Sequence, residues 1–177
     1  MSTQRMYPQL NLNDIRDLLT LLNDGKTVLM IFSNSRLPFS YAIRCQSNSL
    51  WSHCAFILPD GRVIESSAMR GGVVLDTLAN FQARAKEWAI ADYLCNDPRA
   101  AYGFFLSQLG KKYDYTGLVG FALKDRDFEE EDAWFCSEVA ETSFIAGATS
   151  HFNDNRSSVS PKELWQCKRN VLLTSYA

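Results

Sequence analysis

Trp51-Ser52-His53-Cys54-Ala55-Phe56-Ile57-Leu58, the turn Pro59-Asp60-Gly61, and Arg62-Val63-Ile64-Glu65-Ser66-Ser67 decide how this chain folds. Two apolar-rich runs of strand length flank a Pro-Asp-Gly turn, which is the composition of a β-hairpin. The hairpin carries one of the chain's two histidines and a carboxylate inside an otherwise apolar strand. With the turn centred on Asp60-Gly61, residue 53 would pair near residue 68, and residue 55 near residue 66. His53 shares its face with Ala55 and Ile57; Glu65 shares its face with Val63 and Ser67. A one-residue change of register decides whether these are the same face, and a bulge or another loop would make that change.

Working outward, Thr27–Phe32 (TVLMIF) reads as a buried strand, and Ser33–Ser49 as a polar connection with a short helix near Ser40–Cys45. Before it, Leu12, Ile15, Leu18, Leu19 and Leu22 recur at helical steps, with Asn11 or Asn13 as a cap and Asn23-Asp24-Gly25 as the stop. Beyond the hairpin, Gly71-Gly72 leads into a strand at Val73–Leu75. Residues 76–86 read as a short helix with a polar tail, and residues 88–95 as one more strand. After Asp97-Pro98 the pattern turns helical: residues 99–109, stopped by Gly110, then an apolar segment over 115–123. The acidic run Asp125–Asp132 reads as solvated. Residues 136–145 form a helix with Val139, Ala140, Ser143 and Phe144 facing inward. Ser160-Pro161-Lys162-Glu163 is a helix start with a capping box. Helix, strands, then helices predict one segregated α+β domain over residues 1–177, an antiparallel sheet packed against helices.

Of the 177 residues, 46% are AVILMFWYC, enough for one hydrophobic core. Eighteen Lys+Arg against 20 Asp+Glu, with no polybasic run, argue against nucleic acid as a partner. The apolar runs are too short for a transmembrane segment, and the N-terminus lacks the pattern of a secretory signal. The default expectation is a cytoplasmic monomer; export by a dedicated route to the periplasm or cell wall would leave no such mark. Cys45, Cys54, Cys95, Cys136 and Cys167 contain no CxxC pair, so no metal site is expected from spacing. Four of them, Cys136 excepted, read as small buried hydrophobes.

Cys136 follows Trp134-Phe135 and opens a helix. The N–H groups of a helix start lower a thiol's pKa and can donate to a developing oxyanion. An inert buried cysteine is the alternative from the local pattern. His53 reads either as a hydrogen-bonded core residue or as a base. Glu65 is either its orienting carboxylate or a surface side chain. Glu138 either caps its helix or meets a substrate amine. Tyr113, in Gly110-Lys111-Lys112-Tyr113-Asp114, either packs structurally or turns its hydroxyl to a cleft, and Asp114 reads as a cap.

These stretches, in this order, resemble the NlpC/P60 superfamily, in its circularly permuted, papain-like branch related to the YiiX and YebB proteins. The resemblance spans residues 27–165 and rests on Trp51–Ile57, Gly61–Ser66, Gly72–Val74, Gly110–Asp114, Trp134–Val139 and Ser160–Leu164. It implies a permuted papain-like fold with the histidine strand before the cysteine helix. It implies Cys136 as nucleophile, His53 as base and Glu65 as orienting residue, with Tyr113 lining the site and no cofactor needed. The implied reaction is acyl transfer on a peptide or acyl substrate: a thiol peptidase or amidase acting on peptidoglycan, or else a lipid ester or thioester hydrolase or acyltransferase. An inactive interaction module on the same scaffold is the non-enzymatic reading. Trp51, Phe39 and Phe121 are candidates for an acyl-chain groove; Glu138, Arg70 and Arg36 for contacts to a free amine and carboxylate.

Overall fold

The chain is described by a computed structural model that covers residues 25–115, 133–154 and 159–175. The expected helix over 12–22, nearly all of the apolar segment over 115–123, the acidic run over 125–132, and Phe121 lie outside these residues. Strand β1 spans Thr27–Asn34, and helix α1 spans Pro38–Ser47. The hairpin follows as β2 (His53–Ile57) and β3 (Arg62–Ser67), then a 3-10 turn over Ala68–Arg70 and β4 (Gly72–Thr77). Helix α2 (Leu78–Arg84), β5 (Glu87–Leu94) and helix α3 (Pro98–Ser107) come next, then the short strands β6 (Lys112–Tyr113) and β7 (Ala133–Trp134). Helix α4 (Cys136–Ala146), helix α5 (Pro161–Cys167) and β8 (Asn170–Thr174) complete the order.

The strands form one sheet in the order β7-β6-β4-β3-β2-β1-β5-β8. Neighbours run antiparallel except β6 and β7, which pair in parallel, so the sheet is mixed. The secondary structure is α+β, but the expected segregation is incomplete. β8 returns from the helical end to pair with β5, because Leu172 and Leu173 fill the layer beside Ile90.

β1 is buried on both faces, which accounts for its unbroken apolar run. Met30 and Phe32 join Phe56, Phe105, Phe144 and Leu164 on the side covered by α3, α4 and α5. Leu29 and Ile31 join Ala55, Ile57, Val63 and Phe81 on the side covered by α2. Phe56 packs against Phe144 at 4.9 Å between ring centroids and against Phe105 at 5.2 Å. α5 starts as expected: Ser160 Oγ accepts from the Glu163 N–H at 3.2 Å, and Glu163 accepts from the Ser160 N–H at 2.8 Å. Of the four cysteines expected to be buried, Cys54 and Cys95 are, Cys167 is half-buried, and Cys45 is exposed. Cys45 lies on the outer side of α1, where Ile43 rather than Cys45 faces the core. Among the described residues, no helix is long and apolar enough to cross a membrane.

Candidate active site

The hairpin register is one residue from the expected one. Phe56 pairs with Ile64 and Ile57 with Val63, so residue numbers across the pair sum to 120, and residue 55 stands opposite residue 65. The turn is tight: Leu58 N–H donates to the Arg62 carbonyl at 2.7 Å and Gly61 N–H to the Leu58 carbonyl at 2.8 Å. Gly61 adopts φ 82°, which suits glycine. Opposed residues of an antiparallel pair share a face, so this register puts His53 and Glu65 together. Their side chains meet: His53 Nε2 lies 2.7 Å from Glu65 Oε2.

Glu65 is fully buried, and its other oxygen accepts from Arg84 Nη2 at 2.6 Å. The same nitrogen donates to Asp76 Oδ2 at 2.8 Å, and Arg70 Nη1 reaches that oxygen at 2.7 Å. Phe81 lies under the imidazole, with ring centroids 5.6 Å apart and planes 20° from parallel. Its ring also carries the Arg84 guanidinium, 5.4 Å from the centroid. Burial would raise the Glu65 carboxyl; the hydrogen bond and charge of His53 and the charge of Arg84 hold it below its ordinary value.

Cys136 opens α4, where the first N–H groups have no partner within the helix. Its thiol is 1% exposed and lies against both His53 and Cys54. Burial would raise its pKa. A hydrogen bond from the Cys54 thiol, then the charge and hydrogen bond of His53, outweigh that and hold Cys136 well below a free thiol. Cys54 moves the opposite way: burial and the neighbouring Cys136 charge push its thiol well above the usual range, so it remains a donor. Burial would lower the His53 imidazole. The charge and hydrogen bond of Cys136, followed by those of Glu65, raise it to about 10. Both shifts favour the charged forms of Cys136 and His53.

A cleft opens beside His53, lined by the polar Ser33, Asn34, Ser35, Ser52 and Ser67, by the apolar Phe39, Ala68, Met69, Phe81 and Ala85, and by Arg84 and Tyr113. Tyr113 is 4% exposed, with its ring 6.0 Å from that of Phe135 just before α4. Trp51 does not line this cleft. It packs in the core against Trp165 at 5.0 Å and Phe32 at 6.3 Å. Glu138 accepts from the Phe135 N–H at 3.4 Å, a cap on its own helix. Arg70 is tied to Asp76, and Arg36 is exposed; neither is among the lining residues described. Asp114 is buried immediately before a helical residue. Sequence reasoning missed Arg84, Asp76 and Cys54. Alternation along Gly72–Thr77 would have placed Asp76 on the face of Glu65 once the β3–β4 pairing, Glu65 with Val74 and Val63 with Asp76, was known.

The crystal structure of metalloprotein yiiX from Escherichia coli O157:H7, DUF1105, matches this chain with a TM-score of 0.59, over 86% of this chain and 97% of that one. The two proteins share a fold. Sequence identity is 17%, so the likeness is one of architecture. No family model matches the chain, and no curated protein matches it in sequence. The word metalloprotein belongs to yiiX. Among the described residues of this chain, no three or more His, Cys, Asp or Glu side chains group as a metal site, and no step below is routed through a metal.

Proposed function

We propose that this protein is a cysteine hydrolase on a permuted papain-like scaffold, with Cys136 as nucleophile, His53 as general acid and base, and Glu65 orienting the imidazole. The observation that carries the reading is Cys136 at the first position of a helix beside His53, whose imidazole lies 2.7 Å from the buried Glu65 carboxylate. The thiolate attacks the substrate's acyl carbon, and the oxyanion forms against the N–H groups of the first turn of α4. His53 gives its proton to the leaving amine, alcohol or thiol as the carbonyl–heteroatom bond breaks, leaving a thioester on Cys136. Neutral His53 then takes a proton from water, which attacks the thioester; the acid leaves and the thiolate returns. Arg84 and Tyr113 wall the cleft without entering these steps.

The lining favours an uncharged acyl group, so we place a lipid ester, thioester or acyl amide first. Besides His53, Arg84 is the charged side chain among the lining residues, and Glu65 and Asp76 already neutralise it. Among the described lining residues none offers a carboxylate to a free amine, while Phe39, Ala68, Met69, Phe81 and Ala85 offer apolar surface. Amide cleavage in a cell-wall peptide, as a peptidoglycan endopeptidase or amidase, is the second reading. It is favoured by the polar wall of Ser33, Asn34, Ser35 and Ser52, which suits a peptide backbone.

Iodoacetamide labelling at pH 6, resolved by peptide mass, tests the nucleophile. Cys136 should label faster than the exposed Cys45, and the preference should vanish in His53→Ala. Equal rates would remove the hydrolase reading and leave an interaction module. Acyl esters and thioesters run beside purified muropeptides, with Cys136→Ala as control, then separate the two substrate classes.

A further inference from the structure

Below His53 lies a chain of charges that the proposed chemistry does not use. The order is His53, Glu65, Arg84, Asp76, Arg70, each joined to the next at 2.6–2.8 Å. The two carboxylates are almost out of water, with Glu65 side-chain exposure 0% and Asp76 5%. Both hydrogen-bond the same atom, Arg84 Nη2. Two buried carboxylates this close cannot both stay ionised without a cation between them; one takes up a proton.

They are not equally supported. Asp76 Oδ1 also accepts from the Thr77 N–H at 2.8 Å and from Asn80 Nδ2 at 3.0 Å, and Oδ2 has Arg70. Glu65 has His53 and Arg84. If the guanidinium were lost, the proton would therefore fall on Glu65. A protonated Glu65 would no longer balance the imidazolium.

We propose that Arg84 is a positioning residue for the Cys136–His53 pair, holding Glu65 ionised by screening it from Asp76. The proposal rests on the hydrolase reading above, since it assigns Arg84 a role in readying that pair. Arg84 is itself well placed to be rigid: Nε donates to the Asn80 carbonyl at 3.3 Å within α2, and the guanidinium lies on the Phe81 ring. The remaining ionisable groups around the pair face it from other elements. Cys136 comes from α4, Cys54 from β2 and Tyr113 from β6; Cys54 and Tyr113 are pushed up and stay neutral. Arg84 is thus the cation that sets the charge state of Glu65 at the oxygen that His53 does not engage.

The test is the pH dependence of Cys136 alkylation by iodoacetamide, followed by peptide mass from pH 4 to 8 on the full chain. In Arg84→Gln the acid limb should move up by about one pH unit, as Glu65 takes a proton earlier. Adding Asp76→Asn to that variant removes the competing carboxylate and should return the limb towards its wild-type position. Asp76→Asn alone should leave the limb where it is. A purely structural role for Arg84 predicts no such rescue.

An unmoved limb in folded Arg84→Gln, or a shift that Asp76→Asn does not reverse, overturns the proposal. If Arg84→Gln does not fold, the double variant is read in its place. A double variant that folds with the wild-type limb supports the screening role, and one that also fails to fold refutes it. A wild-type Cys136 no more reactive than Cys45 would instead sink the hydrolase reading, so the two failures are told apart by the wild-type control.

Discussion

Replacing Glu65 with Gln removes one negative charge from a fully buried position while keeping the side chain's size. The Gln carbonyl can still accept from His53 Nε2, so what is lost is the charge component of a 2.7 Å contact. A charge-assisted hydrogen bond is worth roughly 1–1.5 kcal/mol more than a neutral one. Each pKa unit corresponds to about 1.4 kcal/mol. His53 should therefore fall from about 10 in the wild type by about one unit. Arg84, left facing an amide, acts in the same direction. The measurement is an NMR titration of the imidazole ring protons, simplified because the chain has two histidines and a His53→Gln variant assigns them. Activity that needs protonated His53 should lose its basic limb by the same interval. A wild-type His53 titrating near 6.5, or an unchanged midpoint in Glu65→Gln, would refute the reasoning.

The opposite shifts of His53 and Cys136 also give the fold a pH signature. His53 is raised from 6.5 to about 10, and Cys136 is lowered well below 9.0. Folding takes up a proton at His53 above pH 6.5 and releases one at Cys136 below pH 9, and the two cancel between those limits. The stability difference between wild type and Cys136→Ala, read from thermal melts, should be flat from pH 6.5 to 9 and shrink on either side. Gly72→Ala would drive its new methyl into the Lys111 carbonyl where β6 meets β4. It should destabilise by about 1–3 kcal/mol, measured by urea unfolding, and slow Cys136 alkylation by displacing Tyr113. Ser160→Ala removes the acceptor for the Glu163 N–H and should cost about 1 kcal/mol by the same assay, without moving the alkylation pH profile.

Much of the local structure was legible because its causes are local. The apolar run from Thr27, the Pro-Asp-Gly turn, the inward stripe of α4 and the Ser160–Glu163 box each act within a few residues. Each appears where the pattern placed it. The short strands β6, β7 and β8 were missed, since two to five residues carry no periodicity of their own and exist by pairing with a distant neighbour. Trp51 was expected at a cleft wall and lies in the core instead. The choice was made by Phe32 and Trp165, which come from elsewhere in the chain.

The sequence by itself determined that His53 lies in one strand, that Glu65 sits in the next, and that Cys136 opens a helix. Tertiary structure alone decided that they meet. Side chains alternate with a period of two, so the observed sum of 120 across the hairpin puts His53 and Glu65 on one face, and a sum of 121 would part them. Cys136 lies 83 residues beyond His53, and the packing of α4 on the sheet brings it into contact. The Arg84 bridge between Glu65 and Asp76 depends on both of those pairings and on α2 folding back over the sheet. No local pattern could announce it, because each of its charges is paired only after the strands have found their register.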